Sequence, residues 1–92
     1  MSSHLSFKDR EEFQKRLKKS LQSVGINPNS PTQLLLSFKS TSKESEISIG
    51  AVYRWLQGDA LPTPHNMEVL AQICKVCPYW LRTGLLKNDE YQ

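Results

Sequence analysis

The chain has 92 residues, with 12 lysines and arginines against 9 aspartates and glutamates, so its formal charge is +3. This length supports one hydrophobic core, and we predict a single domain over 1–92 with short flexible termini at about 1–5 and 87–92. No apolar run approaches the roughly 18 residues of a membrane span and no signal peptide is visible, so we expect a cytoplasmic protein without membrane contact.

The positive charge is concentrated in the first half of the chain. Up to Ser48 the formal charge is +3, and the remainder is balanced. A modest basic bias is compatible with nucleic-acid binding. A solvated helix face explains the cluster from Lys15 to Lys19 at least as well, so both interpretations stay open.

The first helix is predicted from the spacing of its apolar residues. They recur at intervals of four, four and three residues, at Phe13, Leu17, Leu21 and Val24. Gly25 follows where a left-handed residue commonly ends a helix. The pattern predicts a long amphipathic helix over about 7–24.

A second helix begins at Ser30-Pro31, because serine is a good N-cap and proline is favoured at the first helical position. Its apolar residues are dense enough to predict burial of more than one narrow stripe: Leu34, Leu35, Leu36 and Phe38. We expect it to end near Lys39. The stretch from Ser40 to Glu46 is polar and without periodicity, which predicts an exposed loop.

The third helix has chemical signals at both ends, Ser48 as N-cap and Gly58 as the terminating residue. On a helical wheel its apolar residues form one stripe, at Val52, Trp55 and Leu56. The opposite side carries hydrogen-bonding groups, an aromatic ring and bare backbone, at Gly50, Tyr53, Arg54 and Gln57. We therefore predict one face for the core and one for contact.

Two further helices complete the chain. Thr63-Pro64 repeats the cap-and-proline signal, and a buried stripe follows at Met67, Leu70, Ala71 and Cys74. A short last helix runs from about Pro78 to Thr83, with Trp80 and Leu81 directed inward. No strand is convincing, so the sequence predicts an all-α fold of five helices.

This ordered set of helices resembles the XRE-type helix-turn-helix family of phage repressors and Cro proteins, over roughly Glu12 to Gly84. The residues that carry the resemblance are Pro31-Thr32-Gln33, Leu36, Ile47-Ser48, Val52 to Gly58, Leu61-Pro62, Leu70-Ala71 and the pair Trp80-Leu81 followed by Gly84. It implies a five-helix lambda-repressor-like DNA-binding domain. The second and third helices would form the motif, and the third would enter the major groove of double-stranded DNA.

The resemblance also implies roles for residues on the third helix. Ser48, Ile49 and Gly50 would meet the bases first, with Ile49 reading a thymine methyl or packing inward. Arg54 would reach guanine or a phosphate, and Tyr53 a base edge or the sugar-phosphate chain. Gln57 lies on the same face.

Backbone contacts are implied on the second helix and the loop after it. Thr32, Gln33 and the N–H groups exposed after Pro31 would hold phosphate. Lys39, Ser40 and Lys43 would approach the DNA backbone if the loop wraps toward it, and otherwise stand in solvent.

Three departures from the family pattern are visible. The turn is extended by Lys39 to Glu46, where the family has only a few residues. Ser37 stands where alanine usually lets the two motif helices cross closely, so its hydroxyl needs a partner. Asp59 falls in a linker that is often basic.

Other chemistry finds little support. Cys74 and Cys77 form a C-x-x-C pair, but His4 and His65 are isolated, so two reduced thiols are favoured over a zinc or redox site. No catalytic constellation is present, and we expect no enzyme activity, cofactor, metal or small-molecule ligand. A salt bridge from Arg54 to Glu46 or Glu68 is the structural alternative to base contact.

The predicted function is a transcriptional regulator, in the first place a repressor, that binds a palindromic operator as a homodimer. The expected dimer surface is at the C-terminal end, at Tyr79, Leu85, Leu86 and Tyr91. A helical protein-interaction module that does not bind DNA specifically is the alternative. A third possibility is a regulator switched by redox or metal through Cys74 and Cys77.

Overall fold

The computed structural model describes residues 7–85, and all regular structure within that range is helical. The five helices are α1 (Phe7–Ser23), α2 (Pro31–Thr41), α3 (Ile49–Gln57), α4 (Pro64–Cys74) and α5 (Pro78–Thr83). The expectation of an all-α fold is therefore confirmed. The termini predicted to be flexible, about 1–5 and 87–92, lie outside the described residues. No helix between residues 7 and 85 is long and apolar enough to cross a membrane.

Three helices begin with the side-chain caps that the sequence predicts. The hydroxyl oxygens of Ser30, Ser48 and Thr63 each accept the backbone N–H three residues further along, at 3.1 to 3.3 Å. Gly58 ends α3 in the left-handed conformation, with φ of +81°. The boundaries of α3 thus follow from local chemistry at each end.

One core joins all five helices. α1 packs against α3, α4 and α5, while α2 packs against α3 and α4. The aromatic rings of Phe38 and Trp55 lie 5.8 Å apart at 43°, a tilted contact that joins α2 to α3. The fully buried side chains include Phe13, Leu17, Leu21, Leu34, Phe38, Val52, Leu70 and Leu81. The inner face of α3 is consequently fixed from two sides.

Two helices end within two residues of their predicted ends, and one burial prediction is wrong. α1 ends at Ser23 rather than Val24, and α2 continues to Thr41, where the Ser42 N–H donates to the Phe38 carbonyl at 2.8 Å. The loop is therefore 42–48, which has the predicted length but lies two residues further along the chain. Leu36 is 64% exposed, because it lies about 200° around the helix from both buried residues, Leu34 and Phe38.

Polar side chains of α1 fasten the other helices. The Gln14 amide donates to the Leu56 carbonyl at 2.8 Å, and the Arg16 guanidinium donates to the carbonyls of Leu81 and Arg82 at 3.0 and 2.8 Å. Burial lowers the pKa of Arg16, and the carboxylates of Glu12 and Asp9 oppose that shift. The interpretation of Lys15 to Lys19 as a solvated face is thus wrong for Arg16.

Gly84 is required by this arrangement. Its φ is +81°, and a Cβ atom there would lie 3.0 Å from Nη1 of Arg16. Glycine alone combines that backbone conformation with so close an approach. The end of α5 is therefore fitted around the Arg16 side chain.

Candidate nucleic-acid interface

The outer face of α3 is an exposed polar surface on a firmly packed helix. Tyr53 and Ile49 are 51% and 46% exposed, and Arg54 and Gln57 are exposed as well. The side chains of Tyr53, Arg54 and Gln57 make no hydrogen bond or ion pair with any described residue. In contrast, Val52, Trp55 and Leu56 are buried. The division of the helix into a core face and an outer face is as predicted.

Arg54 has no partner within the part of the chain that the structure describes. It forms no ion pair with Glu46 or Glu68, the two carboxylates considered as structural partners. Its guanidinium therefore keeps all five of its donors for solvent or a ligand. The salt bridge considered as an alternative role for Arg54 therefore does not form among the described residues.

The first turn of α3 combines a cap with open backbone. Ser48 uses its oxygen to accept the Ala51 N–H at 3.1 Å, while the N–H groups of Ile49 and Gly50 have no partner among the described residues. A Cβ atom on Gly50 would meet only the Ser48 hydroxyl, at 3.7 Å. The fold therefore does not require glycine at this position, and the backbone there is open to close approach.

At the start of α2, most of the backbone donors are already used. The Gln33 N–H donates to the Ser30 hydroxyl at 3.2 Å and the Leu34 N–H to the Ser30 carbonyl at 3.3 Å. The Gln33 side chain accepts the Asn27 N–H at 3.0 Å. The expectation of several free N–H groups after Pro31 is therefore wrong, since only that of Thr32 has no partner in the described chain.

The three candidates around the loop lie in different places. Lys39 and Lys43 are exposed, the first on α2 and the second in the loop. Ser40 belongs to α2 instead of the loop, and with Leu36 and Ile73 it lines a groove of 730 Å³ between the C-terminal ends of α1, α2 and α4. The structure therefore does not bring Ser40 together with the outer face of α3.

Ser37 lies in that same groove, beside Gln72 and Ile73. Its hydroxyl makes no hydrogen bond with a described residue, and the contact between α2 and α3 is made by Phe38 and Trp55. The Ser37 hydroxyl thus lacks, among the described residues, the partner that a close crossing of α2 and α3 at this position was expected to need.

A small cleft next to α3 brings in residues that the sequence did not single out. It measures 180 Å³ and joins Tyr53 and Gln57 to Pro31, Asn29 and Lys18. Lys18 comes from α1, and Asn29 from the turn before α2. Only the packing of α1 against α3 reveals this proximity, so no local signal in the sequence could have found it.

The two cysteines are reduced and differently exposed. Cys74 is 3% exposed in the core, and Cys77 is half-buried at the N-cap of α5. Burial raises the pKa of the Cys74 thiol to about 11, so it stays protonated and weakly nucleophilic at neutral pH. Among residues 7–85, no group of three histidine, cysteine or acidic residues is arranged to hold a metal.

The candidate dimer surface is described only in part. Tyr79 and Leu85 are 40% and 60% exposed at the C-terminal end. Leu86 and Tyr91 lie outside the described residues. Two exposed large apolar side chains are therefore present near this end of the described chain.

Searches against protein-family models, curated proteins and solved structures found no match to this chain.

Proposed function

We propose that this protein is a sequence-specific DNA-binding regulator of transcription with a lambda-repressor-like fold. α2 and α3 form the helix-turn-helix, with 42–48 as its extended turn, and α3 enters the major groove. The observation that carries the proposal is the outer face of α3. There Tyr53, Arg54 and Gln57 stand exposed and unpartnered on a helix whose other face is locked into the core.

The chemistry of this face suits base readout. A major groove about 12 Å wide admits one α-helix, and arginine pairs with guanine through two parallel hydrogen bonds. Arg54 keeps its donors free for that contact, and Ile49 offers an exposed apolar side chain to a thymine methyl. Gly50 allows the helix backbone to approach closely. These features together support base readout by this surface.

Phosphate contacts would flank the readout surface. Lys39 and Lys43 are exposed near the end of α2, and the free N–H of Thr32 lies at its start. Such contacts fix the register of a protein on the duplex without reading the sequence. The first half of the chain, which contains these residues, also carries the excess positive charge.

The size of the molecule supports a dimer on a two-fold operator. Its principal dimensions are 33 × 32 × 24 Å. Two copies related by a two-fold axis are large enough to place their α3 helices roughly 34 Å apart, the distance between half-sites one helical turn apart. One α3 helix makes few base contacts, so a second half-site supplies the affinity that a monomer lacks.

Selection from random duplex DNA tests the proposal directly. Purified full-length protein is used at about 150 mM salt, where purely electrostatic binding is weak. We expect an enriched palindrome with half-sites about one helical turn apart. Absence of enrichment, with residual binding that disappears as salt rises, contradicts sequence-specific regulation.

A protein-interaction module is the second candidate, and the groove between α1, α2 and α4 favours it. Leu36 is 64% exposed there, beside Val24, Ile26 and Ile73. These apolar side chains lie among polar ones, including Ser37, Ser40 and Gln72, and such a mixture is common at protein–protein interfaces. The two candidates differ in where a functional partner makes contact, either the outer face of α3 or this groove.

A further inference from the structure

The cleft between α1, the start of α2 and α3 has an unusual set of lining groups. Lys18 contributes an ammonium, and Asn29, Tyr53 and Gln57 contribute hydrogen-bond donors. No carboxylate lines it. We refer to this as the Lys18 cleft.

Lys18 is held at this position by the packing of α1. Gln14, one helical turn earlier on the same face, donates to the Leu56 carbonyl at 2.8 Å, and Leu56 also lines the cleft. Residues four apart on a helix project to the same side. Lys18 therefore lies next to the last turn of α3 because Gln14 fixes the two helices together.

The ammonium of Lys18 is not neutralised within the described chain. It makes no ion pair there, and the residues three and four positions away are Gln14, Lys15, Leu21 and Gln22, none of them acidic. The side chains of Asn29, Tyr53 and Gln57 also make no hydrogen bond with a described residue. A partly enclosed site with one cation, three donors and no anion matches a singly charged oxyanion with several acceptor oxygens.

We propose that the Lys18 cleft binds one phosphodiester group of the DNA backbone, beside the bases that α3 reads. This inference rests on the proposed function and adds a contact from α1 to it. The contact fixes the angle at which α3 enters the groove, because Tyr53 and Gln57 belong both to the cleft and to the outer face of α3. Lys18 is thus a positioning residue rather than a base-reading one.

The test compares Lys18→Gln with Lys19→Gln in the full-length protein. Both variants remove one lysine charge from α1, but Lys19 is exposed and does not line the cleft. Affinity for the selected operator is measured across a salt series. For Lys18→Gln we expect a loss of about three- to tenfold for every sequence alike, and a salt slope lower by about one per bound protomer. Lys18→Arg should restore most of the affinity.

A second measurement identifies the phosphate. Single phosphates of the operator are replaced by neutral methylphosphonates, and each is assayed with wild type and Lys18→Gln. One position per half-site should weaken wild type but not Lys18→Gln, which is the coupling expected of a direct contact. A loss from Lys18→Gln no larger than that from Lys19→Gln, or the absence of a coupled phosphate, overturns the inference.

The two proposals fail in distinguishable ways. If wild-type protein binds the operator specifically and Lys18→Gln is unaffected, only the Lys18 cleft is wrong. If the wild-type protein selects no duplex at all, the proposal of sequence-specific DNA binding is wrong. The proposed phosphodiester contact in the Lys18 cleft is then overturned as well. A site for free phosphate is indicated instead, and the DNA contact is overturned, if inorganic phosphate shifts the NMR signals of Tyr53 and Gln57 in the DNA-free protein while no operator phosphate is coupled to Lys18→Gln.

Discussion

Arg16 and Arg54 are the same residue type in opposite situations. Arg16 is half-buried and donates to two carbonyls at the end of α5, and Gly84 is fitted around it. Arg54 is exposed on α3 and donates to no described residue. The comparison separates polar groups that hydrogen-bond within the fold from polar groups that remain available to a ligand. Gln14 and Gln57 divide in the same way, the first bonded to Leu56 and the second unpartnered.

The largest expected effect comes from the two aromatic residues on opposite faces of α3. Trp55→Ala should lower the free energy of unfolding by about 3–5 kcal/mol, because the side chain is 3% exposed and packs on Phe38. Tyr53→Ala, at 51% exposure, should change it by no more than about 0.5 kcal/mol. Urea denaturation of both variants measures this. Equal losses contradict the division of α3 into core and outer faces.

The buried thiol of Cys74 makes the free energy of unfolding depend on pH in a specific way. Its pKa is about 11 in the folded protein and nearer 9 when exposed, so the folded state retains a proton that the unfolded state releases. This contribution is complete below about pH 9 and is lost as the pH rises through 11, by about 2 kcal/mol. The stability difference between wild type and Cys74→Ala should therefore shrink from pH 8 to 11. A difference that stays constant contradicts burial of the thiol.

Arg54→Ala should affect binding and not folding. We expect a loss of about 1–3 kcal/mol in operator affinity, concentrated at one base pair of each half-site, with an unchanged unfolding midpoint. Lys39→Ala is the matched comparison, since it removes an exposed charge that should weaken all sequences alike. Affinities for a panel of single-base operator variants measure both. A uniform loss from Arg54→Ala contradicts base reading.

Arg16→Met should show the reverse behaviour. The substitution keeps an apolar stem but removes the hydrogen bonds to the carbonyls of Leu81 and Arg82, so stability should fall by about 1–2 kcal/mol. Lys15→Met is the control, because its pairing within residues 7–85 is limited to an exposed 3.9 Å contact with Glu12. Thermal unfolding compares the two. If they lose equal stability, Arg16 does not fasten α5.

The smallest effect is expected at Gly50. Gly50→Ala should raise the stability of the free protein by up to about 0.5 kcal/mol, since alanine is the better helix former and a Cβ atom fits there. The same change should weaken operator binding, because the methyl group lies where DNA approaches. Thermal unfolding and operator affinity measured on one preparation test both parts. A gain or no change in affinity removes Gly50 from the interface.

Much of the fold was predictable because its signals are local. The ends of α3 follow from Ser48 and Gly58, and its buried stripe from the spacing of Val52, Trp55 and Leu56. The exposure of Tyr53 follows from the same wheel. Neighbouring residues alone determine these features, so the sequence contains them directly.

The features that the sequence missed depend on how helices pack. Leu36 is exposed because α2 buries the Leu34–Phe38 side, which is set by contact with α3 and α4. Arg16 and Lys18 acquire their surroundings from residues 65 and 35 positions away, Leu81 and Tyr53. Periodicity within one helix cannot assign such partners. The residues of the candidate site on α3 could therefore be predicted from the sequence, but the neighbouring Lys18 of α1 could not.

DNA recognition by the outer face of α3 is tested most directly by an NMR titration of isotopically labelled full-length protein with a selected operator duplex. We predict that backbone amide shifts concentrate at Thr32, Ile49, Gly50 and Tyr53, with little change at Leu81 and Arg82. A scrambled duplex should produce weak shifts that vanish as salt rises. Shifts concentrated around Leu36 and Ile73 instead would contradict DNA recognition by the outer face of α3 and support the protein-binding groove.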